Sequence, residues 1–237
     1  MTDEPNRPRT SHRRKPSRRW RKTVLPLAVL VTCAAAAIPV AALSSAPAQA
    51  ADCPDVEVVF ARGSGELPGL GITGTPLVRD LTSRLQGRTV TSYAVSYAAA
   101  YDQSSAGAGA TDMTQHVVQR AQACTNTQFV LGGYSQGASV TDIAIGISTT
   151  LGRGQVIPAE LAPRVAAVVV FGNPLGLSRR TIEGSSQLYG PKAKSFCNTG
   201  DPVCGNGANT LAHLTYASNG SVTSAATFAA GKVTAGS

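Results

Sequence analysis

Metal-ligating side chains are scarce in this chain. Its 237 residues hold three histidines and five cysteines, and no two of the cysteines are spaced C-x-x-C. Beyond residue 50 only His116 and His213 remain. A zinc centre needs about four nitrogen or sulfur ligands at close spacing, so no metal is expected. Useful positive charge is missing as well. The formal net charge is +8, yet nine of the Lys and Arg residues fall within residues 1–22, against Asp3 and Glu4. Residues 51–237 carry twelve basic and eleven acidic side chains. No basic stripe is left there to bind phosphates, which argues against a nucleic-acid partner. There is no internal repeat and no interdomain linker, and the roughly 187 residues from 51 onward suit one domain with one core.

Charge of either sign is absent from residue 23 to residue 51, and residues 24–43 are almost wholly apolar. A basic start, an apolar middle and Ala48-Gln49-Ala50 make the pattern of a secretory signal peptide over residues 1–50. The apolar run is long enough to span a membrane, but alanine-rich runs are weak anchors, so cleavage is the reading adopted. Ser17-Arg18-Arg19 hints at a twin-arginine route, although Trp20-Arg21-Lys22 fits that pattern poorly. The expected protein is therefore secreted, with residues 51–237 as its working domain. Cys33 would leave with the leader. Cys53, Cys124, Cys197 and Cys204 remain, an even number suited to an oxidising compartment. Three pairings are possible, and spacing favours a local 197–204 bridge that leaves 53–124.

Short β-branched runs alternate with helical patterns along residues 51–237. Residues 56–61, 89–95, 128–134, 164–171 and 193–197 read as strands. Helices are predicted over 76–86, 111–124, 136–150, 210–217 and 221–232, with a small-residue loop over 98–110. The run at 164–171 is apolar throughout, as inner strands of parallel sheets are. The alternation predicts an α/β fold, a parallel sheet covered on both faces.

Gly133-Tyr134-Ser135-Gln136-Gly137 fits G-x-S-x-G, preceded by a predicted buried strand and followed by a predicted helix. Chemistry needs that context: a sharp strand-to-helix turn lifts the serine hydroxyl above the sheet, over a helix N-terminus that favours negative charge. Serine needs a base to attack an ester. His213 follows the nucleophile in chain order, whereas His116 reads as a half-exposed side chain within a helix. The orienting acid should lie between Ser135 and His213. Asp142 would point away from the site two turns along the helix, and Glu160 and Glu183 suit solvated positions. Asp201 sits between Cys197 and Cys204, where a disulfide ring would hold the carboxylate rigid. An oxyanion hole could draw on the N–H of Gln136 and on Ser64 in the loop after the first strand.

Five segments in order resemble the cutinase family: Cys53-Pro54-Asp55, the run from Phe60 to Glu66, the serine pentapeptide, the run from Cys197 to Cys204, and His213-Leu214-Thr215-Tyr216. The resemblance covers the chain from Cys53 to about Tyr216. It implies a small three-layer α/β-hydrolase with a central, mostly parallel five-stranded sheet and no lid. It carries the nucleophile onto Ser135, the acid onto Asp201 and the base onto His213. Oxyanion stabilisation passes to Ser64 and Gln136, and disulfides to Cys53–Cys124 and Cys197–Cys204. The loop Gly65-Glu66-Leu67-Pro68-Gly69-Leu70-Gly71 departs from the hydroxyl-rich stretch of fungal members.

The expected protein is a monomeric serine esterase without metal or organic cofactor. It would act on cutin-type polyester, lipid or short- to medium-chain acyl esters, some of them presented on a surface. Two other readings stay open. One is an acetylxylan esterase, lipase or phospholipase on the same frame; the other is a non-catalytic envelope-binding protein.

Overall fold

The computed structural model describes residues 53–205 and 207–236. The leader, its cleavage point and Cys33 lie outside the described residues. Five strands are present: β1 (Val56–Ala61), β2 (Val90–Ala94), β3 (Gln128–Tyr134), β4 (Val165–Phe171) and β5 (Ala193–Phe196). They form one sheet in the order β2-β1-β3-β4-β5, and every neighbouring pair is parallel. The helices are α1 (Gly71–Arg84), α2 (Ala106–Ala123), α3 (Gln136–Ala144), the single turn α4 (Ile182–Ser185) and α5 (Ser221–Ala235). Short 3-10 turns occupy Ala159–Arg164, Pro174–Ser178, Gly190–Lys192 and Thr210–Leu214.

Strand side chains alternate between two apolar layers, as the two-residue period of a pleated strand requires. Val59, Phe129, Leu131, Val168 and Val170 pack with Met113, Val117, Ala138 and Val140 of α2 and α3. Val56, Val58, Phe60, Val130, Val169 and Phe171 pack with Leu77 and Leu81 of α1 and with Val222, Ala226 and Ala229 of α5. The result is the three-layer α/β architecture expected from the sequence. A disulfide between Cys53 and Cys124, 71 residues apart, ties the entry of β1 to the end of α2. Closing a loop of that length is worth about 4 kcal/mol in the chain-entropy account.

Several elements differ from the sequence reading, among them α1, which begins at Gly71 rather than at Pro76 and holds that proline inside the helix. α3 stops at Ala144 rather than running to residue 150. Gly146, at φ +83°, turns the chain there, and the N–H groups of Ile147 and Gly146 reach the carbonyls of Asp142 and Ile143. This is a Schellman stop, which an apolar pattern running past a glycine conceals. α2 begins at Ala106, inside the stretch expected to be a loop, because its small residues pack against α3 and the backbone at residues 153–154. The helix expected at 210–217 is the 3-10 turn Thr210–Leu214.

The chain runs from β1 outward to β2, then crosses back to β3 on the other side of β1. Strand order therefore reverses between β1 and β3. Ligand crevices of open parallel sheets form at such a reversal, beyond the C-terminal strand ends. Ser64 follows β1 there, and Ser135 follows β3.

Candidate active site

Ser135 stands between β3 and α3 at φ 56°, ψ −120°, a backbone conformation that side-chain-bearing residues seldom adopt. Its N–H donates to the Phe171 carbonyl at 2.9 Å, and its own carbonyl accepts from the Ala138 N–H at 2.9 Å. The glycines on either side make the turn possible. A Cβ on Gly133 would lie 2.0 Å from the Gly137 carbonyl oxygen, and one on Gly137 would lie 2.0 Å from that of Ala61. The pentapeptide is thus compressed against β1, and the strain at Ser135 is held by the sheet around it.

Asp201 is fully buried in the ring closed by the Cys197–Cys204 disulfide. Its Oδ1 accepts from the Val203 N–H at 2.8 Å. Its Oδ2 lies 2.8 Å from His213 Nδ1 and accepts a hydrogen bond from the Tyr216 hydroxyl. His213 sits in the 3-10 turn Thr210–Leu214, which starts where Asn209 Oδ1 caps the Leu211 N–H. The Tyr134 ring stacks on the imidazole at 4.9 Å between centroids, and its hydroxyl donates to the His213 carbonyl at 2.8 Å. Gly172, at φ +55°, supports the same imidazole from below: a Cβ there would meet His213 Cε1 at 2.6 Å and Asp201 Oδ2 at 3.1 Å.

Asp201 and His213 are therefore joined directly. Ser135 reaches them through its neighbours, since Tyr134 stacks on the imidazole and Phe171 accepts the Ser135 N–H. Among the described residues no hydrogen bond joins the Ser135 hydroxyl to the imidazole. In unliganded sites such bonds are often long and tighten once substrate is bound.

The two residues expected to bind an oxyanion are adjacent. Ser64 Oγ donates to Gln136 Oε1 at 3.5 Å. Gln136 opens α3, where backbone N–H groups have no partner within the helix. The loop carrying Ser64 is braced on both sides. Glu66 accepts from the Gly63 N–H at 2.5 Å and the Ile72 N–H at 2.7 Å. Arg62, almost fully buried, donates to the carbonyls of Glu66 and Tyr97 and lies 5.1 Å from the Tyr97 ring centre. The Tyr97 hydroxyl donates back to the Arg62 carbonyl. In this loop, then, one carboxylate and one guanidinium hold the backbone.

The rejected candidates fall elsewhere. His116 pairs with Glu57 and stacks on Tyr93, so it is a partnered side chain rather than a simple surface one. Glu183 is exposed and accepts from the N–H and hydroxyl of Ser195 at the edge of the sheet. Asp142 is buried, and it accepts from the Asn173 side chain. Several supporting residues escaped the sequence reading: Tyr216 on Asp201, Tyr134 on His213, Glu66 beneath Ser64, and Gly172. Burial and the hydrogen bond to Asp201 push the Tyr216 hydroxyl well above the usual phenol range, so it stays a donor at any physiological pH. Among the described residues there is no cluster of side chains able to hold a metal ion.

The Cutinase family model matches residues 52–233. A curated cutinase of Kineococcus radiotolerans is 63% identical over 188 residues, which cover 78% of this chain and 64% of that protein. A Trichoderma reesei cutinase, solved with a phosphonate inhibitor, superposes with a TM-score of 0.61 at 29% identity, covering 76% of this chain and 77% of that one. An acetyl xylan esterase structure superposes with a TM-score of 0.64 at 28% identity, covering 76% of this chain and 99% of that one.

Proposed function

The chain belongs to the cutinase family of carboxylic ester hydrolases, and from that premise we propose that Ser135, His213 and Asp201 hydrolyse esters through an acyl-enzyme. The observation that carries this reading is one constellation. A serine is forced to φ 56° at the head of a helix, and the residue before it, Tyr134, stacks on an imidazole whose Nδ1 is tied to a buried carboxylate.

Binding Asp201 through Nδ1 leaves His213 Nε2 to take the Ser135 proton as the hydroxyl attacks the ester carbonyl. Asp201 holds the tautomer and stabilises the imidazolium, and Tyr216 and the Val203 N–H keep that carboxylate oriented. The Gln136 N–H and Ser64 stabilise the oxyanion. The imidazolium protonates the departing alcohol, and water then releases the acid by the same route. No metal is required for any step.

Support for a substrate presented on a lipid or polyester surface comes from the side chains around this face. Leu67 follows Ser64 in its loop, Tyr101 packs on Gly65, and Leu211 and Leu214 flank His213. All four are largely exposed, between 59% and 85%. Apolar side chains gathered at one rim favour an apolar partner. Deacetylation is the second reading, favoured by the likeness to an acetyl xylan esterase. Secretion of residues 51–237 after loss of a 1–50 leader, as a monomer, completes the proposal. The two disulfides suit the oxidising surroundings this requires.

The test is hydrolysis of acetyl, butyryl and long-acyl p-nitrophenyl esters by protein recovered from the culture medium, with a Ser135→Ala control. Turnover that disappears in the control supports the reading, and turnover that persists removes Ser135 from its role. Activity confined to the acetyl ester would favour the deacetylase. Mass spectrometry of the same sample reads the N-terminus, and a start well before residue 51 would defeat the cleavage assignment.

A further inference from the structure

Asp142 takes no part in the steps above, yet it is a carboxyl group with no exposed surface on the helix that begins at the nucleophile. Its helix neighbours Ala138, Val140, Ile143 and Ala144 belong to the apolar core. Its Oδ1 accepts from Asn173 Nδ2 at 3.0 Å, and its Oδ2 has no partner among the described residues. A buried carboxyl with one hydrogen bond costs stability, and a purely packing role would be served better by an apolar side chain. The bond to Asn173 is therefore the feature that needs an explanation.

The turn on which that bond pulls touches all three reacting side chains or their backbones. The Phe171 carbonyl holds the Ser135 N–H at 2.9 Å. Gly172 supports the His213 ring and the Asp201 carboxylate, and its N–H donates to the Phe196 carbonyl at 2.9 Å. Asn173 is itself buried; its Oδ1 accepts from the Leu175 N–H at 2.9 Å, and its carbonyl accepts from the Gly176 N–H at 3.0 Å. The backbone bonds shape the turn locally. The Asn173 side chain adds the bond that fastens it to the interior of α3.

We propose that Asp142 is a positioning residue for the reaction: through Asn173 it fixes the turn at residues 171–173, against which the His213 imidazole and the Asp201 carboxylate rest. The inference depends on the roles given above to Ser135, His213 and Asp201. Asp142 acts as a hydrogen-bond acceptor, a property its protonated and ionised forms share and an asparagine reproduces. Burial pushes its pKa up to about 7, opposed by the Asn173 bond and the Arg180 charge and reinforced by Glu183. The charge is thus the least stable part of this arrangement, and the acceptor oxygen is the working part.

The experiment compares kcat and KM on p-nitrophenyl butyrate for the secreted enzyme and five variants: Ser135→Ala, Asp142→Asn, Asp142→Ala, Asn173→Ala and the double Asp142→Ala/Asn173→Ala. Circular dichroism and thermal melting show which of them fold. Misplacing a reacting group by 1 Å costs on the order of 100-fold, and a slackened turn moves it less. Folded Asp142→Ala and Asn173→Ala should each lose about 10-fold in kcat with KM nearly unchanged, a loss in the transition state alone. Asp142→Asn should recover to within about threefold of the parent, and the double variant should be no slower than either single, since both cut one bond. Full kcat in a folded alanine variant would overturn the proposal, as would an asparagine variant as slow as the alanine one. Should Asp142→Ala fail to fold, Asp142→Asn and Asn173→Ala carry the same decision. Turnover that survives Ser135→Ala would overturn the reaction itself, an outcome separate from any change at Asp142.

Discussion

Two carboxylate–imidazole pairs lie among the described residues, and they are alike in spacing and burial. Asp201 and His213 are 2.8 Å apart; Glu57 and His116 are 3.0 Å apart. Both carboxylates are buried, and both histidine side chains keep a sliver of exposure, 13% and 16%. They differ in what the imidazole does next. His213 bonds its acid through Nδ1 and stacks on Tyr134, the residue before the strained serine. His116 bonds Glu57 through Nε2, stacks on Tyr93 at 3.5 Å, and shares its carboxylate with Arg120. The second pair links β1 to α2. A histidine on a carboxylate thus serves packing at Glu57, and the stack on the residue before the serine elbow is what sets the His213 pair apart as the proposed catalytic one.

Substituting the two histidines draws that contrast most sharply. His213→Ala should lower kcat by about 10,000-fold, the cost of losing a triad member, whereas His116→Ala should keep kcat within about twofold. Steady-state assays of both variants check this, and equal losses would erase the distinction. Ser64→Ala should cost about 100-fold if its hydroxyl supports the oxyanion, with little change in KM. Tyr216→Phe should cost about 10-fold in kcat by freeing the Asp201 carboxylate, since hydrogen bonds to charged groups are worth about 1.5–3 kcal/mol. An unaltered kcat would make Tyr216 a packing residue only.

The smaller effects are on stability, and the sign differs between acids. Burial raises the Glu57 pKa, but His116 and Arg120 outweigh burial and hold it below the ordinary carboxylate value of 4.5. A depressed carboxylate stabilises the fold above its unfolded value, and that stability is lost as pH falls through the folded value. Melting temperature should therefore drop on acidification below about pH 4.5, and Glu57→Gln should flatten the drop. Asp142 runs the other way. Its folded value is raised to about 7, so its stability is present at low pH and lost as pH rises from the unfolded value of 3.8 through 7. Asp142→Asn should melt higher than the parent at pH 8 and converge with it near pH 4. A constant offset across that range would contradict the raised value.

Much of the fold was legible because local patterns and tertiary burial agree. Val165–Phe171 is apolar at every position and lies inside the sheet, between β3 and β5. Gly133 and Gly137 flank a serine, and both are required by backbone contacts of 2.0 Å. Misreadings arose where a small residue had two uses. Gly107 and Gly109 resemble loop residues in sequence but serve close packing inside α2, and Gly146 ends α3 where the apolar pattern continues. The supporting residues of the candidate site were not legible at all. Tyr216 and Asn173 reach Asp201 and Asp142 across separate segments of the chain, and Glu66 braces its own loop through two backbone N–H groups; no periodicity or spacing marks such partners.

The sequence by itself determined the alternation of strands and helices, the serine turn, the order of Ser135, Asp201 and His213, and the even set of cysteines. Those are properties of a chain read a few residues at a time. The tertiary structure alone decided that the Tyr134 ring stacks on His213, that Gly172 lies against both His213 and Asp201, and that a carboxyl buried in α3 reaches this turn through Asn173. The physical reason is that parallel strands bring together loops from remote parts of the chain. A hydrogen bond across such loops depends on where the sheet places their ends, which no local stretch of sequence encodes.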